Sequence, residues 1–248
     1  MEQLSGRVAV VTGAANGIGY AISEAFVAEG MQVVLADLVE DDLERAVAEL
    51  SATGAEVHGV VTDVTDPASV EALAAAVLDR FGSLNVAVNN AGIVNGGNCW
   101  EISLEDWRRV LDVDLWGVIH GIRSFVPLLL ASGEEGHVVN TASLAAVDIV
   151  PGIAPYTVSK HGVLGLSDSL RAELAALGAP IGVSVVMPGL TKSKMVPIGE
   201  RPASGVARNV VDAIRRNRAY VFSDAESTRR VATRFGAIMD ARGDVLQP

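Results

Sequence analysis

The sequence predicts an α/β fold in which helices wind over both faces of one parallel sheet. Three observations carry this. Short valine-rich runs alternate along the chain with longer stretches of helical periodicity. The runs are apolar at consecutive rather than alternate positions, as strands covered on both faces are. The connections are short, which fits one helix crossing back between successive strands. A chain of 248 residues, 50% apolar and 20% charged, suits one such domain. No linker, repeat or low-complexity stretch divides it, so residues 1–248 read as a single domain.

Seven strands are expected, at residues 7–12, 32–37, 56–61, 84–89, 137–141, 181–187 and 219–222. Ile18, Ile22 and Phe26 share one face of the first helix, which ends at Gly30. Leu43, Val47 and Leu50 mark the second, which stops before Gly54. Val70, Leu73, Val77 and Phe81 mark the third, where Asp66 precedes a proline, Pro67, at the first helical position. A long helix before the fifth strand carries Trp107, Leu111, Val118, Ile122 and Phe125 as an apolar stripe, and Asp114 falls inside it.

Composition sets aside several classes of function. The net charge of −11 argues against a nucleic-acid partner, which requires a basic face. The balance is uneven: residues 1–200 carry 10 basic and 25 acidic groups, residues 201–248 carry 9 and 5. The late arginines read as the solvated or subunit-facing side of amphipathic helices. A single cysteine, Cys99, cannot close an internal disulfide and suits a reducing cytoplasm. No uninterrupted apolar run reaches the ~18 residues of a membrane helix, and the first six residues are polar, so a cytoplasmic location is expected. His58, His120, His137 and His161 lack a metal-ligand spacing, and no metal is expected. No G-x-S-x-G elbow surrounds a serine, which sets aside a serine hydrolase.

The first chemical signal lies between strand one and helix one. Thr12-Gly13-Ala14-Ala15-Asn16-Gly17-Ile18-Gly19 places three glycines where backbone can approach a ligand, and opens a helix whose free N–H groups suit a pyrophosphate. Alone this is equally a strand-to-helix turn. Asp37 ends the second strand twenty residues after Gly17, where a carboxylate accepts hydrogen bonds from an adenosine ribose. The same carboxylate repels the 2′-phosphate of NADP. Neither arginine nor lysine stands in the glycine loop or at Leu38, Val39 or Glu40, so NAD is favoured over NADP. Asp63-Val64 and Asn89-Asn90-Ala91-Gly92 complete a row of loops at the carboxyl ends of strands.

The second signal is Tyr156-Thr157-Val158-Ser159-Lys160, a phenol and an ammonium on one helical face. A nearby cation favours tyrosinate and makes a phenol usable in proton transfer. The chain has sixteen arginines and three lysines, and Lys160 is the only lysine before residue 192. A compact ammonium thus stands where arginine is the habit. Ser143 ends the fifth strand, thirteen residues before Tyr156.

With these residues in order, the chain resembles the short-chain dehydrogenase/reductase family along nearly its whole length. The motifs are the glycine turn 12–19, Asn-Asn-Ala-Gly at 89–92, Ser143, Tyr156 with Lys160, and Pro188-Gly189. The resemblance implies a Rossmann-type doubly wound sheet of about seven parallel strands, NAD(P) binding, and oxidation of an alcohol or reduction of a carbonyl. It implies that Tyr156 exchanges the proton with the substrate oxygen. Ser143 would orient that oxygen, and Lys160 would bind the nicotinamide ribose. Pro188 and Gly189 would flank the nicotinamide, and Ser193 stands where the family usually has a threonine on its carboxamide.

One position departs. Where the family usually places a catalytic asparagine in N-x-x-G, this chain has Asp114-Leu115-Trp116-Gly117. A carboxylate on a core-facing stripe is costly unless paired, and Lys160 is the candidate partner. Two readings stand. In one, Asp114 partly neutralises Lys160 and belongs to the proton relay. In the other it is a structural carboxylate satisfied by backbone or water. An impaired relay would make the protein an NAD-binding sensor or scaffold rather than a rapid enzyme.

The substrate pocket is expected from Leu144 and Ala145, from around Ile153, and from Met195, Val196, Pro197 and Ile198. These are apolar and offer no carboxylate or phosphate clamp beyond Lys192 and Lys194, so a hydrophobic secondary alcohol or ketone is expected. Trp100 reads either as core or as a pocket closure. Residues 189–204, with Pro197, Gly199 and Pro202, read as a lid that orders on binding. The resemblance adds a homodimer or homotetramer assembled through the long helices, with which the apolar faces around 107–130 and 156–177 are compatible.

Overall fold

The computed structural model describes residues 1–193, 195, 199, 201–223 and 227–243. Strands β1 (Val8–Thr12), β2 (Gln32–Asp37), β3 (Val57–Val61), β4 (Val86–Asn89), β5 (Gly136–Thr141), β6 (Ile181–Met187) and β7 (Tyr220–Phe222) form one sheet. All neighbours are parallel, in the order β3-β2-β1-β4-β5-β6-β7. Helices α1 (Gly17–Ala28), α2 (Glu40–Ser51), α3 (Pro67–Phe81), α4 (Leu104–Leu111), α5 (Gly117–Ser132), α6 (Ala154–Ala176), α7 (Ala203–Arg216) and α8 (Ser227–Gly243) surround it.

Strand alternation builds the two cores. Ala9 and Val11 of β1 face one side, with Ile22 and Phe26 of α1, Leu43 of α2 and Val210 and Ile214 of α7. Val8 and Val10 face the other, with Leu73 and Val77 of α3, Phe125 and Leu129 of α5, and Leu170 of α6. The edges behave differently from the sequence expectation: β3 is half-buried from Val57 to Val60 and exposed at Val61, and Tyr220 and Phe222 of β7 are exposed. An edge strand has a neighbour on one side only, so helices cover it incompletely.

Local chemistry sets the helix ends. The Asp66 side chain accepts the Ala68 N–H at 3.0 Å, Pro67 fills the first helical position, and α3 stops at Gly82, whose φ is +75°. The long helix before β5 is not uniform. Residues Asp112–Trp116 form a π-turn between α4 and α5, and the extra residue shifts the helical register. The buried face therefore runs through Val110, Asp114, Gly117, Val118, Gly121 and Phe125, while the predicted Trp107 and Leu111 are half-buried. By length and composition this continuous stretch, Leu104–Ser132, is long and apolar enough to cross a membrane, although no uninterrupted apolar run announces it. Its charges gather at its start, from Glu105 to Asp114, with only Arg123 beyond them, and one of them, Asp114, is turned inward.

From β1 the chain winds outward through β2 to β3, and from β4 it winds the other way through β5 to β7. The loops after β1 and β4 therefore part, opening a crevice at the carboxyl ends of the strands.

Candidate active site

The crevice is a cavity of about 820 Å³. Its first wall is the turn after β1. Gly13 has φ +63°, and a Cβ there would lie 2.8 Å from the Ala91 Cα. A Cβ on Gly19 would lie 2.1 Å from the Gly13 carbonyl oxygen. Backbone thus packs on backbone, leaving Gly13, Asn16, Gly17 and Ile18 on the cavity wall. Gly19 is not on that wall: it sits behind the turn, where its missing side chain permits the close packing.

The turn is braced from both sides. Asn90 donates from Nδ2 to the Thr12 and Gly13 carbonyls at 3.0 and 3.2 Å, and Thr12 Oγ1 accepts the Asn90 and Ala91 N–H groups. Asp37 Oδ2 accepts the Ala15 N–H at 3.0 Å, and Oδ1 accepts the Val39 N–H at 3.2 Å. A carboxylate oxygen has two acceptor directions, so both oxygens retain capacity for a ligand. Leu38 follows on the wall, 62% exposed. Asp63 Oδ1 accepts from the Thr65 N–H and hydroxyl, and Asp63, Val64, Ala91 and Gly92 all line the cavity. The sequence reading missed one cation here: Arg45 of α2 reaches the Ala15 carbonyl at 3.3 Å, while also pairing with Asp42 and Glu49.

The opposite wall holds Ser143, Tyr156 and Lys160, the candidate reacting groups. Ser143 starts a tight 3-10 turn, Leu144–Ala146, and its Oγ accepts the Ala145 N–H at 3.2 Å. Tyr156 and Lys160 lie one turn apart on α6, and the Lys160 Nζ is 5.3 Å from the Tyr156 ring centre. Lys160 is 2% exposed and donates to the Thr141 carbonyl at 3.1 Å. Behind it lies Asp114, fully buried, with Oδ2 3.1 Å from Nζ and Oδ1 accepting the Ile93 N–H at 2.8 Å. Asp114 does not line the cavity; Gly92 and Lys160 stand in front of it. Burial pushes the Asp114 carboxyl above the ordinary carboxylate range, and Lys160 and the Ile93 N–H oppose that. Burial, the largest single influence, disfavours the Lys160 ammonium, yet Asp114 and Tyr156 together more than offset it and hold Lys160 above its ordinary value.

Pro188, Gly189, Ser193, Leu144, Ala145, Ile153 and Met195 line the cavity as expected from sequence. Lys194, Val196, Pro197, Ile198 and Glu200 lie outside the described residues. At the far end of the expected lid 189–204, Ala203 and Ser204 form the first residues of α7. Trp100 is neither core nor closure: it is 78% exposed and off the cavity wall. Sequence reasoning also missed Thr191, Val94, Val150, Leu190, Arg109 and Arg230. Thr191 follows Pro188-Gly189 closely enough to have been named. Arg230 carries no such signal. It reaches the wall because α8 folds back, packs Val231 on the cluster around Val147 and Val163, and pairs Arg230 with Asp148 at 2.8 Å.

Comparison with known proteins agrees with this architecture. The family model for short chain dehydrogenases matches residues 7–201. The 1-deoxy-11-beta-hydroxypentalenate dehydrogenase of Streptomyces avermitilis is 40% identical over 247 residues, covering 95% of this chain and 91% of that one. The crystal structure of a short chain dehydrogenase/reductase from Burkholderia phymatum in complex with NAD superposes with a TM-score of 0.94 at 36% identity, covering 96% of each chain. That of actinorhodin polyketide ketoreductase with NADPH gives a TM-score of 0.80 at 33% identity, covering 86% of this chain and 92% of that one. Motif order, sheet order and full-length similarity all converge: this chain belongs to the short-chain dehydrogenase/reductase family of oxidoreductases.

Proposed function

We propose that the chain is an NAD-dependent oxidoreductase acting between a secondary alcohol and its ketone, with Tyr156 as the proton-exchanging group. The observation that carries this is the meeting of Ser143, Tyr156 and a buried Lys160 ammonium on a cavity whose other wall is the glycine turn. The residues fit a dinucleotide: the turn keeps a shape that a Cβ at Gly13 or Gly19 would break by clashing with the backbone behind it, and it leaves Gly13, Asn16, Gly17 and Ile18 bare toward the cavity. Asp37 is presented to the same space with unused acceptor capacity. The nicotinamide cofactor supplies the hydride chemistry when bound. Gly13, Asn16, Gly17 and Ile18 would hold its pyrophosphate, Asp37 the adenosine ribose, and Asp63 and Val64 the adenine side. Asn90, Ala91, Gly92, Pro188, Gly189 and Ser193 would enclose the nicotinamide half.

Each remaining role falls to a side chain already in place. Ser143 donates to the substrate oxygen and fixes its orientation. In oxidation the hydroxyl proton passes to the Tyr156 oxygen; in reduction Tyr156 returns it. Lys160 stabilises negative charge on that oxygen and offers an N–H to the ribose. Asp37 favours NAD by repelling a 2′-phosphate, and Arg45 is held by Asp42 and Glu49.

The substrate end is apolar, built by Val94, Leu144, Val150, Ile153, Leu190 and Met195. The Streptomyces relative is named for a hydroxyl-bearing carboxylate. A bulky apolar secondary alcohol suits this lining, and Arg109 on the wall is a partner for an acidic group, whereas Arg230 is already paired with Asp148. Exposed Leu104, Trp116 and Val158 on α4 to α6 support assembly as a homodimer or homotetramer.

The test is NADH formation over a panel of secondary alcohols, neutral and acidic, with NAD and NADP in parallel. Tyr156→Phe is expected to lower kcat by at least ~100-fold while NAD binding persists. A variant as active as the parent would remove Tyr156 from the proton path. Tight NAD binding with no turnover on any alcohol would favour the sensor reading.

A further inference from the structure

The residue that departs from the family pattern is also the one whose surroundings ask for a carboxylate. Asp114 is fully buried and has a donor on each side: the Ile93 N–H at Oδ1, 2.8 Å away, and the Lys160 ammonium at Oδ2, 3.1 Å away. An ionised carboxylate accepts at both oxygens, whereas an amide accepts at one and donates at the other. An asparagine in this pose would turn its NH2 group on the ammonium or on the backbone N–H. The π-turn Asp112–Trp116 delivers residue 114 to this point, and Gly92 leaves it room: a Cβ there would lie 3.4 Å from both Asp114 Oδ2 and Lys160 Nζ.

We propose that Asp114 is a positioning residue that keeps Lys160 an ammonium and seats it against the Thr141 carbonyl, directly and through an ion pair. The inference rests on the reading of Lys160 as the cation beside Tyr156. Among the described residues, the charged or titratable side chains facing Nζ are Asp114 from the π-turn and Tyr156 from its own helix. Farther along the cavity wall stand Arg109, Arg230, Asp37 and Asp63. Burial acts against the charge on Lys160, and Asp114 is the largest influence restoring it.

The chain has three lysines, so carbon-13 labelling of lysine gives three side-chain signals to follow against pH without cofactor or substrate. In Asp114→Asn the Lys160 signal is expected to titrate at least about one pH unit lower than in the parent, with Lys192 and Lys194 unmoved. Asp114→Glu, which keeps the charge, is expected to restore most of the difference. Equal titration of Lys160 in the parent and Asp114→Asn overturns the proposal. Should Asp114→Asn not fold, the double variant Asp114→Asn/Lys160→Met decides: recovery of folding identifies the stranded ammonium as the fault, and no recovery overturns the proposal. The titration is independent of turnover, so an inactive alcohol panel would count against the proposed function and leave this result standing.

Discussion

Asp37 and Asp114 are two carboxylates of one site, and their surroundings assign them opposite tasks. Asp37 stands on the cavity wall at the end of β2, held by the Ala15 and Val39 N–H groups, with acceptor capacity directed outward. Asp114 is fully buried behind the wall and faces another side chain. At the rim, water remains available and a carboxylate loses little when its ligand is absent. In the core a charge without a partner is costly, so the partner becomes part of the fold. The same residue type is therefore open to a ligand in one place and bound to an internal partner in the other.

The most severe break of this contrast is Asp114→Leu, which strands the Lys160 ammonium. A loss of about 3–5 kcal/mol of stability is expected at neutral pH, measured by urea unfolding, with most of it recovered by adding Lys160→Met. Equal instability of single and double variants would mean that shape, not charge, holds the site.

His137 sharpens the contrast from a third side. It is 1% exposed and meets the Ser184 hydroxyl rather than a carboxylate. Burial, aided by the N-terminal ammonium, pushes it from 6.5 down to about 3. The unfolded chain takes up this proton near 6.5 and the folded one does not. Stability is then whole above about pH 6.5 and falls toward pH 3 by about 1.4 kcal/mol per pH unit from this residue alone. His137→Leu is expected to flatten that slope between pH 6.5 and 4.5; a slope unchanged by the substitution would place acid sensitivity elsewhere.

Substitution at Asp37 tests the rim. Asp37→Ser is expected to lower kcat/KM with NAD about tenfold, or about 1.4 kcal/mol, and to raise it with NADP. Stability should fall by only about 1–2 kcal/mol, since two backbone N–H groups lose a carboxylate acceptor at about 1 kcal/mol or less each. The smallest effect is expected from Arg109→Ala: a two- to fivefold rise in KM for an acidic alcohol and none for a neutral one, in keeping with an exposed ion pair of ~1 kcal/mol or less.

Much of this molecule was legible in its chain because the relevant signals are local. Asp66-Pro67 announces the start of α3, and valine runs announce every strand to within two residues. Gly13, Asp37, Tyr156 and Lys160 carry their chemistry in short spacings. What stayed hidden involves residues far apart or a break in periodicity. The π-turn inserts a residue that no composition reveals, so the stripe through Trp107 and Leu111 falls at the margin of the buried face of α4, whose centre is Val110. Arg230 joins the cavity from 70 positions beyond Lys160 because α8 returns over the 3-10 turn.

By itself, then, the sequence determined the parallel sheet, the single domain and the motifs that name the candidate site residues, since hydrophobic period and short motifs are properties of neighbouring residues. Only the tertiary structure decided that Asp114 meets Lys160 and the Ile93 N–H at once, and that Asn90 is a brace as well as a wall. It also decided that Trp100 faces solvent. Those outcomes depend on which surfaces packing brings together. A buried charge must find its partner among them, and no spacing along the chain records where that partner lies.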